Sequence, residues 1–125
     1  MEVWLFGNPD LNQDNLPIKL LPKLKKHFPQ INFVVQDPNE EWQLPNKLYI
    51  IDTVQNLEQV KVFTSLDNFS KHSAVTLHDF DLGMQLQFLK KLGRLPPLVI
   101  FGVPMNISET KALTQLLPIL RQYLI

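Results

Sequence analysis

Short apolar runs alternate along the chain with segments whose apolar residues recur every three or four positions. The runs predict buried strands, and the recurring positions predict amphipathic helices. The predicted strands are Val3–Phe6, Ile31–Val35, Lys47–Asp52, Val60–Thr64 and Leu98–Val103. Lys47–Asp52 is apolar on both faces, which is typical of the middle of a parallel sheet. Val60–Thr64 alternates between apolar and polar residues, which favours an edge strand.

Helical spacing predicts three helices between and after these strands. The first has apolar residues at positions 18, 21, 24 and 28. Pro17 suits its first turn, and Pro22 should kink the helix or delay its regular start. The second is expected from about Phe80 to Leu92, ended by Gly93. The last is capped by Ser108 and turns leucines 113, 116, 117 and 120 inward.

This alternation of strands and helices predicts an α/β fold, a three-layer sandwich around a mostly parallel central sheet. The chain has 125 residues, a common size for one domain, and shows no internal repeat or linker. We therefore expect residues 1–125 to form a single domain.

Charge and composition exclude several classes of function. Lysine plus arginine and aspartate plus glutamate number 12 each, whereas a nucleic-acid protein or an electrostatic membrane anchor should be basic. No cysteine is present, which removes disulfides, thiolate nucleophiles and cysteine-ligated zinc. The chain starts directly with a strand-like stretch and has no apolar run of about 20 residues. We expect a cytoplasmic protein that binds neither nucleic acid nor membranes.

Three polar residues are candidates for a metal site. Asp14 follows the first strand, Asp52 terminates the most hydrophobic strand, and His78 directly precedes a helix. Ligands of open α/β sheets bind beyond the carboxyl ends of the strands, so these residues would meet at one rim. Two carboxylates and an imidazole suit zinc, nickel, manganese or iron, with coordination positions left open.

Each of the three also has a purely structural interpretation. Asp14 can cap the helix that starts near Leu16. Asp52 can form an Asx turn with the two residues after it. His78 can cap or pack against its helix, held by Asp79 and Asp81.

Other polar residues are weaker candidates. Asp37 can line the same crevice, although Pro38 favours a plain turn. His27 is interpreted as a cation at a helix C-terminus, and His72 as a solvated residue of a polar loop. Neither a dinucleotide-binding glycine motif nor a nucleophile elbow occurs.

The chain resembles the nickel–iron hydrogenase maturation endopeptidases over nearly its whole length. Four segments carry the resemblance: Leu5–Asp14 with its Gly-Asn motif, Leu48–Asp52, Thr76–Gly83 with its histidine, and Val99–Pro104. Asp14 matches the family's second, metal-binding acid, Asp52 the aspartate that ends its central strand, and His78 its third ligand. The resemblance implies a phosphorylase/hydrolase-like sandwich.

The resemblance also implies an activity. Members of the family are aspartyl-type, metal-dependent endopeptidases that activate another enzyme: they recognise nickel in the hydrogenase large-subunit precursor and remove its C-terminal extension. Asp14, Asp52 and His78 would be the catalytic and metal-binding residues. The nickel would be carried by the substrate, with zinc or another divalent metal a candidate in its absence. A monomer is expected.

The chain departs from the family pattern in its loops. Gln13 replaces the first acid of the pair, Asn15 replaces the glycine after it, and Pro17 lies where a second glycine is expected. The lost glycines keep one alternative open, a non-catalytic module that binds or escorts the large subunit. The fold alone keeps a second open, a small-molecule binder on a flavodoxin-like or Rossmann-like sheet.

Overall fold

The computed structural model describes residues 1–7, 15–37, 40–72 and 80–124. The strands are β1 (Glu2–Leu5), β2 (Asn32–Val35), β3 (Leu48–Val54), β4 (Lys61–Phe63) and β5 (Leu98–Pro104). The helices are α1 (Leu16–His27), α2 (Leu66–His72), α3 (Phe80–Lys91) and α4 (Glu109–Leu124). Among the described helices, none combines the length and the apolar character needed to cross a bilayer.

The five strands form one sheet in the order β2-β1-β3-β5-β4. The pairs β1–β2, β1–β3 and β3–β5 are parallel, and β4 lies antiparallel to β5. The two strands that are buried along their whole length, β3 and β5, are neighbours in the interior of the sheet. The predicted mostly parallel sheet is therefore confirmed, as is the edge position of the strand around Val62.

Helices cover both faces of this sheet. Leucines of α1 and α4 pack with Val3, Leu5 and Ile51 on one face. Leucines of α2 and α3 pack with Trp4, Ile50 and Ile100 on the other. Alternate residues of a strand point to opposite faces, which is why neighbours such as Ile50 and Ile51 belong to different clusters. The molecule has the predicted three layers.

The first helix differs from its prediction at one point. Helix α1 begins at Leu16 and includes Pro22, so the expectation of a delayed start is wrong. Its leucines at 16, 20 and 24 are buried against the sheet, and this packing outweighs the hydrogen bond that a proline removes.

Helix α2 was not predicted. It pairs with α3 in antiparallel fashion, because Lys90 Nζ donates to Asp67 Oδ1 at 3.1 Å and Gln87 Nε2 donates to Ser70 Oγ at 3.1 Å. His72 is the last residue of α2, so its assignment to a loop is wrong.

Candidate active site

Several strands end, and several helices begin, at one end of the sheet. The parallel strands β1, β2, β3 and β5 all finish there, and we call it the carboxyl end of the sheet. Helices α1 and α4 follow β1 and β5 directly, so both begin at this end. Helix α2 starts at the opposite end, since it follows the antiparallel strand β4, and its antiparallel partner α3 therefore starts at the carboxyl end. The described elements thus direct several chain segments to the place where α/β proteins bind ligands.

In the part of the chain that the structure describes, the buried polar residues lie at this end. Among the described residues, the polar or charged ones that are buried are Asn15, Asp52 and Thr53. Asn15 precedes α1, and the other two lie near the end of β3. Burying a polar group away from water is costly unless it gains a partner, so such residues are sparse in a core. Their concentration at one end makes that end the candidate functional site.

Asp52 lies inside β3 and not at its end. Its side chain is 5% exposed, and the strand continues to Val54 in parallel register with β5. The expectation that Asp52 terminates its strand is therefore wrong by two residues. Its interpretation as the start of an Asx turn is also wrong, because residues 52–54 pair with residues 102–104. Strand pairing on β5 fixes the backbone from which this carboxylate projects.

An aromatic residue, Phe6, follows β1 on the side of β3 that faces that strand. Strand alternation puts Asp52 on the same face as Ile50 and Val54, which is the face covered by α2 and α3. On the β1 side, the Phe6 N–H donates to the Ile51 carbonyl at 3.1 Å. The Phe6 ring, with its centroid 5.6 Å from that of Trp42, belongs to the cluster on this face. Such apolar surroundings strengthen the electrostatic interactions of a carboxylate.

The neighbour of Asp52 on β5 is a glycine. Gly102 is in register with Asp52. A Cβ atom at Gly102 would lie 2.8 Å from Phe63 Cε2, 3.0 Å from Val54 Cγ2 and 3.2 Å from Leu57 Cδ1. The absence of a side chain at this position lets Phe63 and the residues after β3 close over the sheet next to Asp52.

Asn15 is a candidate that the sequence did not single out. Its backbone carbonyl accepts the first helical hydrogen bond of α1, from the Lys19 N–H at 3.0 Å. Its side chain makes no capping hydrogen bond, and the buried Oδ1 has no hydrogen-bond partner among the described residues. The sequence showed only that an asparagine replaces an expected glycine. Its burial depends on packing that residue spacing does not reveal.

Asp14 and His78 lie outside the described residues, as do Asp79 and Pro38. The described part of the chain contains no group of three histidine, aspartate or glutamate side chains able to hold a metal ion. The three-residue metal site therefore stays a prediction. Helices α1 and α3, which follow Asp14 and His78 in the sequence, both begin at the carboxyl end of the sheet.

A cleft of about 640 Å³ opens at the same end. It lies between the residues that follow β3 and those that follow β5. Its lining residues are Gln55, Asn56, Leu57, Glu58, Pro104, Met105, Asn106, Ile107, Ser108 and Lys111. Asn56 has a left-handed backbone, with φ of 62°, a conformation that asparagine tolerates better than most residues. The cleft is large enough for a few residues of an extended peptide.

Two of the weaker candidates, Asp37 and His27, are exposed. The side chain of Asp37 is exposed, and its carbonyl accepts a hydrogen bond from Trp42 Nε1 at 2.9 Å. His27 is exposed and ends α1, as predicted, where a cation is favoured by the helix dipole.

Comparisons with known proteins bear on the fold. No protein-family model matches the chain, and no curated protein matches its sequence. Among solved structures, the chain is similar to the hydrogenase maturating endopeptidase HybD from E. coli, with a TM-score of 0.62 and 15% sequence identity. The superposition covers 98% of this chain and 94% of that one. The two proteins share a fold.

Proposed function

We propose that the protein is a hydrogenase maturation endopeptidase, which removes the C-terminal extension of a nickel-loaded large-subunit precursor. The observation that carries the proposal is the burial of Asp52 at the carboxyl end of the sheet, where the buried polar residues of the described segments all lie. Its support is the fold shared with HybD over 98% of the chain, together with the order of Asp14, Asp52 and His78 in the sequence.

The three side chains suit nickel that arrives with the substrate. Carboxylate oxygens and an imidazole nitrogen are good ligands for divalent nickel. Asp52 would be the fixed ligand, since it projects from a strand bonded on both sides. Asp14 and His78 would approach from segments next to the first turns of α1 and α3. A precursor with nickel would bind more tightly than one without, so cleavage would depend on prior insertion of the metal.

Cleavage of a peptide bond adds one water molecule across it. One group must accept a proton from that water, and the leaving amine must receive a proton. Carboxylates and imidazoles perform both transfers in enzymes, so Asp14, Asp52 and His78 would also be the catalytic groups.

The proposal is tested by incubating the purified protein with nickel-loaded precursor and measuring the precursor mass over time. We expect a shorter product with wild type and none with nickel-free precursor. The variants Asp14→Asn, Asp52→Asn and His78→Ala should each abolish processing. Asp67→Asn is the matched control, because Asp67 is an exposed aspartate near the opposite end of the sheet. Normal processing by the Asp52→Asn variant would refute the role of that residue.

The same mixture tests the escort alternative, which the loop substitutions at Gln13 and Asn15 motivate. An escort module would co-elute with the precursor in size-exclusion chromatography and leave its mass unchanged. Trimming by the pure protein would exclude this alternative.

A further inference from the structure

Helix α3 carries apolar side chains on two sides. Leu82, Leu86 and Leu89 are buried against the sheet. Met84 and Phe88, together with Leu92 just after the helix, are 62%, 56% and 50% exposed. The four-residue spacing places these three in one stripe along the outer side of the helix. We call Met84, Phe88 and Leu92 the outer stripe.

The outer stripe is unusual for a helix that already has a buried face. A surface helix normally places polar residues opposite the side that packs on the core. Six large apolar side chains are exposed in the described part of the chain, and three of them form this stripe. Contiguous exposed apolar surface of this kind is typical of sites that contact another protein.

Two cationic side chains lie next to Leu92, at the C-terminal end of the outer stripe. Lys91 and Arg94 are exposed on either side of Leu92 in the sequence. Lys90 forms an ion pair with Asp67 at 3.1 Å, on the side of the helix that faces α2. A complementary surface would therefore be apolar with carboxylates at its border.

The stripe is continuous with the end of the sheet that carries the candidate site. Helix α3 begins at the carboxyl end, and the stripe runs along it for about 12 Å at 1.5 Å per residue. A protein bound along α3 would therefore extend from the region of Asp52 towards the opposite end of the sheet.

We infer that the outer stripe docks an apolar, carboxylate-bordered surface of the protein substrate. This inference rests on the proposed function, under which that substrate is the large-subunit precursor. The stripe would bind the folded part of the precursor, while the extension enters the candidate site. Docking away from the cleaved bond raises affinity without changing the chemistry at that bond.

The test is steady-state processing of nickel-loaded precursor by a Met84→Ser/Phe88→Ser double variant. Loss of two apolar anchors of the interface should raise KM by about tenfold or more. The value of kcat at saturating precursor should stay unchanged. A Lys91→Glu variant should also raise KM, with an effect that shrinks as salt increases. Val35→Ser is the matched control, since Val35 is an exposed apolar residue on β2, at the other side of the sheet.

The double variant should fold, because both substituted side chains are exposed. Thermal unfolding checks this by comparing its melting temperature with that of wild type. Wild-type KM in that variant would overturn the docking inference and leave the proposed function standing. A wild-type protein that neither binds nor processes the precursor would overturn both the docking inference and the proposed function. Sedimentation that shows a wild-type dimer, dissociated by the double variant, would assign the stripe to a second copy and overturn the inference.

Discussion

Replacement of Gly102 by alanine should destabilise the protein, because the added methyl group has no space. Its Cβ would lie 2.8 Å from Phe63 Cε2 and 3.0 Å from Val54 Cγ2. Phe63 and Val54 are 2% and 1% exposed, so both belong to the packed interior. Neither side chain can move into solvent to relieve the contact. The strands on both sides of Gly102 must shift instead, including β3 at the level of Asp52.

The expected loss follows from two opposing effects. Alanine in place of glycine within a strand reduces the entropy of the unfolded chain, which stabilises the folded state by about 0.5–1 kcal/mol. An extra methyl group in a well-packed core costs about 1–3 kcal/mol. Because the contact with Phe63 is very short, the packing cost should dominate. We expect Gly102→Ala to lower the free energy of unfolding by about 1–2 kcal/mol.

Urea unfolding followed by circular dichroism measures this loss, with Gly83→Ala as the control. Among the described residues, no atom outside the backbone of α3 and the two chain neighbours lies within 4 Å of a Cβ at Gly83. The control should therefore stabilise the protein by about 0.5–1 kcal/mol. A Phe63→Leu background should reduce the cost of Gly102→Ala, because the ring atom in closest contact is removed. A Gly102→Ala variant as stable as wild type, or an unchanged cost in the Phe63→Leu background, would refute this explanation.

Three further substitutions test other contacts by urea unfolding. Ser108→Ala should cost about 1 kcal/mol, because Ser108 Oγ accepts the Lys111 N–H at 3.1 Å at the start of α4. Asp67→Ala should cost at most about 0.5 kcal/mol, since exposed ion pairs contribute little and the Lys90 and Asp67 side chains are 50% and 72% exposed. Asn15→Leu should not lower stability, because it removes a buried oxygen that lacks a partner. A clear loss in Asn15→Leu would mean that its side chain caps α1.

The layered fold follows from the sequence because its central strands are apolar on both faces. β3 and β5 are buried at every residue, and such runs have few alternative structures. The end of β3 was misplaced because Asp52 and Thr53 are polar, which suggests a strand terminus. Pairing with β5 continues through both residues. Tertiary pairing here outweighs the local preference for a turn.

Helix α2 was missed because it has seven residues and too short an apolar pattern. Among its residues 66–71, whose burial the structure describes, Leu66 and Phe69 are the buried ones. One pair at a three-residue spacing does not distinguish a helix from a loop. A capping signal was present, since Ser65 Oγ accepts the Asn68 N–H at 3.2 Å. Attention to Ser65 would have located the start of the helix.

The sequence could predict the location of the candidate site, which the fold determines, but not all of the residues buried there. The carboxyl end of a parallel sheet was the expected location, and Asp52 is there because β3 carries it there. The burial of Asn15 depends on contacts between distant segments, which the order of residues does not show. The sequence therefore identified the end of the sheet and one carboxylate on it, and overlooked a second buried polar group.

A fold tolerates more residue exchanges than an active site does, so a shared fold is weaker support for an activity than a shared set of site residues. A layered core tolerates many apolar exchanges if volume and pattern are kept, so two chains can share a fold at 15% identity. A metal-dependent active site tolerates few exchanges, because each ligand must supply a particular atom at a particular position. The shared fold therefore supports the scaffold of the site, whereas its chemistry rests on individual residues. For that reason the Asp52→Asn variant, which changes one buried atom on a paired strand, tests the activity more directly than any further structural comparison.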